Sequence, residues 1–230
     1  MDRQVIRMKG RLGAEPSGGD DPSGQHGPAG ALVQIVEGAA GGDRGAFASL
    51  IRVFRPEVQR IALRLVGNHE DAEDIAQETF VRAWGQLGRF AEGHGSMEVA
   101  TERLGGWLVG TTVHIVRDLQ RQKSRGPRRE AAAAAMQLAE RIAARSSDEP
   151  DAQGSQRETQ QLLNAALAAL PERLRTALVL RTFEGLSYEA IAEATGLRAA
   201  TVRTHVMQGR RALRRILGPA LELDDGEATR

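Results

Sequence analysis

Gly185-Leu186-Ser187-Tyr188-Glu189-Ala190-Ile191-Ala192-Glu193-Ala194-Thr195-Gly196-Leu197, followed by Ala200-Thr201-Val202-Arg203-Thr204-His205-Val206, reads as two short helices joined by a tight turn at Gly196. Ser187 is placed to cap the first helix, and Ala190 stands where a full capping box would carry Glu or Gln. Val202, Val206, Gly209 and Leu213 recur at helical spacing and tie the second helix to its domain. Thr201, Arg203, Thr204, His205 and Gln208 are then left facing outward, with Arg210, Arg211, Arg214 and Arg215 farther along. Two helices crossing around a glycine turn can present the second to a DNA major groove, its early residues near bases and its later arginines near phosphates. A plain helical hairpin is the alternative. The conjunction of turn, buried stripe and exposed bases favours DNA.

Working upstream, Leu163, Ala166, Leu167 and Leu170 form a helical stripe that ends at Pro171, a residue suited to a helix's first turn. Leu174, Leu178 and Leu180 carry the next helix onward. Ser146 to Ser155, with Pro150 and Gly154, reads as a linker, and the run Ala131 to Ala135 predicts a solvated helix that buries little. Residues 1–30 are rich in Gly, Pro, Ser and Asp and predict a disordered tail. The end after Pro219 is acidic and predicts fraying. No strand-like alternation occurs. The expected fold is all-α: two small helical domains, 31–125 and 157–218, joined by a flexible linker at 126–156, with an acidic tail at 219–230.

Two helices in the first half carry opposite charge. In the first, either Asn68 or Asp71 is placed to cap, and acids in the first turn suit the positive end of the helix dipole. Ala76, Phe80, Ala83, Trp84 and Leu87 make a buried stripe, while Glu70, Asp74, Gln77 and Glu78 line another face. By charge alone that face is ordinary solvated surface; the sharper reading is a dock for a basic partner. In the second, Leu104, Leu108, Thr111, Ile115 and Leu119 face inward, and Gly110, His114, Arg117 and Arg121 line the other side. Arginines one turn apart beside a histidine suit phosphate and base contacts, and equally suit a solubilising surface. Trp107 fits core packing better than a base-stacking platform.

Composition narrows the function classes. The chain of 230 residues holds no cysteine, which excludes disulfides and thiolate metal sites. Its five histidines have no paired ligand spacing, so no metal or other cofactor is expected. Nothing approaches the roughly 20 apolar residues needed to span a bilayer, and the first thirty residues lack a signal-peptide core, so a cytoplasmic protein with no membrane contact is expected. Net charge is only +1, but acids crowd Glu70 to Glu78 and bases crowd Arg117 to Arg129 and Arg203 to Arg215. No nucleophile–base pair stands out, which makes an enzyme acting on a small molecule the weakest reading.

Taken in order, Asp71-Ala72-Glu73-Asp74-Ile75-Ala76-Gln77-Glu78-Thr79-Phe80, then Trp107-Leu108, then Leu170-Pro171-Glu172-Arg173, then Glu184-Gly185-Leu186-Ser187-Tyr188-Glu189-Ala190-Ile191-Ala192 resemble a bacterial RNA polymerase sigma factor of the extracytoplasmic-function class. The resemblance covers roughly Ala31 to Lys123 and Arg157 to Leu217. It implies two helical domains that carry core RNA polymerase to promoter DNA. Asp71, Asp74, Gln77 and Glu78 would dock on the polymerase clamp. Trp107, His114, Arg117 and Arg121 would face the −10 element and help hold it melted. Ser187, Thr201, Arg203, Thr204, His205, Gln208 and Arg211 would read the −35 element, and an anti-sigma protein is an expected partner. The chain departs from the family in a longer, Gly-rich stretch between Phe90 and Trp107, in His114 where asparagine is usual, and in Arg198 where a small hydroxyl usually caps. Two rivals stay open: a two-component-type regulator, against which the absence of alternating strands argues, and a sigma-like decoy that binds polymerase without initiating.

Overall fold

The computed structural model describes residues 28–122, 126–144 and 152–221. Among them are nine α-helices and no strand: α1 (Pro28–Ala40), α2 (Arg44–Val66), α3 (His69–Glu92), α4 (Met97–Gln122), α5 (Gly126–Ala144), α6 (Ala152–Ala169), α7 (Glu172–Leu178), α8 (Tyr188–Thr195) and α9 (Ala199–Leu221). The all-α expectation is met.

Local chemistry sets the helix ends. Asp43 caps α2, its Oδ1 accepting from the N–H groups of Gly45 at 2.7 Å and Ala46 at 3.3 Å. α2 stops at Gly67, whose φ of +90° is open to glycine at little cost, and whose N–H donates to Leu63. Of the two cap candidates for α3, Asn68 takes the position, accepting from the Asp71 N–H at 2.8 Å. α7 widens into a π-helical turn over Val179–Phe183, which carries Phe183 and Glu184 to its end. The leucine spacing gave no sign of that turn. A π-turn adds one residue to the helical cycle, so it interrupts periodicity without announcing itself in composition.

Two main cores hold the helices. One gathers Val36, Leu50, Phe54, Val58, Phe80, Leu87, Leu104 and Leu108 from α1 to α4. The other is shared across the chain: Ile61, Leu65, Ile75, Val113 and Val116 from α2 to α4 pack with Leu167, Leu170, Leu178, Leu180, Ile191, Val202 and Val206. A third, small cluster joins Leu138 and Ala139 of α5 to Leu162 of α6.

Several expectations change. The alanine run stays solvated only in part: Ala133 and Ala134 are exposed and Ala131 and Ala132 half-buried, but Ala135 is fully buried and the helix continues into Leu138 and Ala139, which pack on α6. Trp84 leaves its expected buried stripe and is 41 % exposed, held edge-to-face against Phe47 at 4.8 Å. Helix starts at Pro28, earlier than expected; helix also fills 126–144 and 152–156, where a flexible linker is expected, because Leu138 and Ala139 find an apolar partner in Leu162; and α9 runs through Pro219 to Leu221. The tail reading for 1–27, the linker reading for 145–151 and the acidic end at 222–230 lie outside the described residues.

Candidate nucleic-acid interface

α3 presents a mixed strip. Asp74 and Gln77 are exposed, and Glu78 is partly exposed with its carboxylate taking the Arg82 Nε at 2.7 Å. Asp71 is half-buried and spends its backbone N–H and one carboxylate oxygen on Asn68. Glu73 points elsewhere, to Arg55 and Gln59 of α2. One and two turns beyond Asp74 and Gln77, Val81 and Trp84 are exposed as well. Large apolar groups in line with carboxylates differ from an ordinary solvated face, where exposed bulk has no benefit. Charge pattern alone missed these two residues; their spacing from Gln77 was the available signal.

On α4, Trp107 is half-buried and stacks on Phe90 at 4.6 Å, and Phe90 meets His94 at 4.4 Å. His114 is exposed and donates from Nδ1 to the Gly110 carbonyl at 2.7 Å, which leaves Nε2 outward. Arg117 is half-buried, its Nε enclosed without a hydrogen-bond partner among the described residues. Arg121 is exposed, 4.0 Å from Asp118. Gly110 departs from the expected outward line: it is buried, with Ala194 of α8 against it.

The helix-turn-helix forms as its residues dictate. The Ser187 hydroxyl accepts from the Ala190 N–H at 3.1 Å, and Gly196 turns the chain at φ +70°. Val202 and Val206 are buried, and Gly209 lets α9 close on α7: an added Cβ would lie 3.1 Å from the Leu174 carbonyl oxygen. Arg203, Thr204, Gln208 and Arg211 are exposed. Thr201 and His205 are only half-exposed, and the His205 Nδ1 is buried without a partner. They flank Val202 and Val206 in sequence, so the edge of the buried stripe takes part of each. Tyr188, which sequence reasoning left without a role, lies between Arg181 and Arg203, whose guanidinium carbons are 4.7 and 4.9 Å from its ring centre.

Between the halves, Glu184 is a buried carboxylate. It accepts from Arg60 at 2.7 Å and Arg64 at 2.6 Å. Burial opposes the charge of Arg60, but the hydrogen bond and charge of Glu184, helped by Glu57, outweigh it and raise its pKa. Among the described residues no cluster of three or more His, Cys, Asp or Glu could hold a metal, and no helix is long and apolar enough to cross a membrane.

Two family models match the chain: Sigma-70 region 2 over residues 50–126, and Sigma-70, region 4 over residues 160–213. The chain is 31 % identical over 190 residues to the RNA polymerase sigma-H factor of Pseudomonas aeruginosa, covering 82 % of this chain and 94 % of that protein. It is 34 % identical over 180 residues to the ECF RNA polymerase sigma factor SigE of Mycolicibacterium smegmatis, covering 76 % of this chain and 64 % of that protein. The sigma factor RpoE solved with the anti-sigma factor NepR from Bartonella quintana superposes with a TM-score of 0.53 at 26 % identity, over 74 % of this chain and 96 % of that one. The chain belongs to the sigma-70 family, as an extracytoplasmic-function sigma factor that binds core RNA polymerase and directs it to promoters.

Proposed function

We propose that the work is divided among three surfaces. The α3 strip of Asp74, Gln77 and Glu78, extended by Val81 and Trp84, docks on core polymerase, with Asp71 set beside it by Asn68. The α4 surface of Trp107, His114, Arg117 and Arg121 contacts the −10 element. The α9 face of Arg203, Thr204, Gln208 and Arg211, edged by Thr201 and His205, reads the −35 element. Ser187 serves as a cap that aims α8 and α9. Residues 31–125 and 157–218 act as the two functional domains.

The observation that carries this reading is the Arg203 face, exposed at the start of a helix whose opposite side is pinned by Val202, Val206 and Gly209. A recognition helix needs that pairing of a rigid back and a free polar front. Melting DNA costs a few kcal/mol per extruded base, so a basic, aromatic-lined surface on α4 suits that task. The protein acts in the cytoplasm as a non-catalytic subunit, and an anti-sigma factor holds it in check, as the NepR complex of RpoE suggests by analogy.

Substitution on α3 tests the scheme. Asp74→Arg should abolish association with core polymerase while leaving helical content unchanged. An intact complex would return that face to plain solvated surface. Core binding with no transcript from any promoter library would favour the decoy reading instead.

A further inference from the structure

Among the described residues, Met207 is the most exposed large apolar side chain, at 65 %. It stands on α9, one turn after Arg203 and one turn before Arg211, both of them exposed. Its neighbour Val206 is buried, and Gly209, two positions on, sits against Leu174 and Leu178 of α7. The backbone that carries Met207 is therefore fixed, while its side chain is left in water. Two smaller groups extend it into a strip. At about 100° per residue, Ala200, Thr204 and Met207 share the side of α9 opposite Val202 and Val206. Ala200 is exposed, and the Thr204 hydroxyl donates to the Ala200 carbonyl at 3.1 Å. With that proton spent, Thr204 offers a partner its methyl group.

An apolar strip inside an arginine-rich face has a specific use on DNA. From Ala200 to Met207 the helix rises about 10 Å, or about three base-pair steps. The major groove carries one apolar mark, the thymine methyl group, which A·T pairs have and G·C pairs lack. Methyl and thioether groups cover that mark, and the flexible thioether of methionine adapts to its position. A protein partner would meet the same methionine between Arg203, Arg210, Arg211 and Arg214, all exposed. An apolar protein pocket would have to strip water from those charges, whereas phosphates on either side of a groove pair with them.

We propose that Met207, with the methyl groups of Ala200 and Thr204, reads thymine methyls in the −35 element, so that this sigma factor demands A·T pairs beneath the strip. The inference deepens the α9 assignment above and rests on it. Arg203, Gln208 and Arg211 supply hydrogen bonds and phosphate contacts. Met207 supplies discrimination without a hydrogen bond.

Replacing thymine by uracil removes the methyl group and keeps every hydrogen-bonding edge. A −35 duplex is first selected from a randomised library with core polymerase carrying the wild-type chain. Each thymine on either strand is then replaced singly by deoxyuridine, and binding is measured by competition. Affinity should fall about fourfold at one or two thymines, the worth of one buried methyl group. In Met207→Ala the penalty at the thymine beneath residue 207 should shrink to less than about 1.5-fold, while Met207→Leu should keep it. Thr204→Val, which keeps the methyl and drops the hydroxyl, should hold affinity within about twofold. Selection of an element without A·T pairs, equal binding to every deoxyuridine duplex, or an undiminished penalty in Met207→Ala overturns the proposal. An error in the α9 assignment shows elsewhere: Arg203→Ala would then select the same −35 motif as wild type.

Discussion

Arg203 holds its guanidinium 4.9 Å from the centre of the Tyr188 ring. A base-reading arginine on a mobile side chain loses entropy on binding, and an aromatic platform limits that loss. A cation–π contact at an exposed site contributes about 0.5–1 kcal/mol, or about two- to fivefold in affinity. Tyr188→Ala should weaken −35 binding by that factor and broaden base preference, whereas Tyr188→Phe keeps the ring and should change little. Binding selection on randomised −35 sequences with core polymerase checks both.

Ser187 separates capping from DNA contact. Its hydroxyl is committed to the Ala190 N–H. Ser187→Ala should cost about 1 kcal/mol, a drop of about 2–4 °C in melting temperature for a chain of this size. Ser187→Asp keeps a cap and suits the helix dipole, so it should hold the melting temperature. If the aspartate variant also keeps −35 affinity, Ser187 works only as a cap; a selective loss places it beside a phosphate.

Two glycine substitutions should act in opposite directions. Gly85 lies mid-helix in α3 with nothing within 4 Å of an added Cβ, so Gly85→Ala should stabilise by about 0.5–1 kcal/mol. Gly209→Ala would press 3.1 Å against the Leu174 carbonyl oxygen and 3.3 Å against the Leu178 Cβ. Overpacking of this kind costs about 1–3 kcal/mol and would tilt α9 off α7. Thermal melts should rise for the first and fall for the second, and only the second should lose −35 affinity.

The ion pairs of Glu184 should be strongly non-additive. Either arginine alone still neutralises the carboxylate, so Arg60→Ala and Arg64→Ala singly should have modest effects. Removing both leaves a buried charge uncompensated, a loss of about 3–5 kcal/mol in urea unfolding. Additive single losses would contradict the shared grip.

What could be read from sequence followed local rules. Ser187, Gly196 and the Val202–Val206–Gly209 stripe specify the helix-turn-helix because caps, left-handed turns and helical periodicity act over a few residues. Trp84 and Gly110 were misread for a different reason. Each lies on the face that periodicity assigns, but burial is decided by neighbours from other helices: Trp84 stays 41 % exposed with one side against Phe47 of α2, and Ala194 of α8 covers Gly110. Glu184 is the extreme case. Its partners lie more than a hundred positions upstream, and the intervening π-turn that aims it has no periodic signature. Charge patterning likewise found the acids of α3 but not Val81, because apolar bulk at the surface reads as core until the fold is known.

Start-site mapping with purified core polymerase on genomic DNA, comparing wild type with Arg203→Ala, tests the account most directly. Wild type should yield a defined set of starts sharing a −10 and a −35 motif, all dependent on core enzyme. Arg203→Ala should bind core equally well and relax base choice at one −35 position, by about 1–3 kcal/mol of discrimination. Loss of core binding, or an unchanged −35 motif, would contradict the assignment of α9 as the promoter reader.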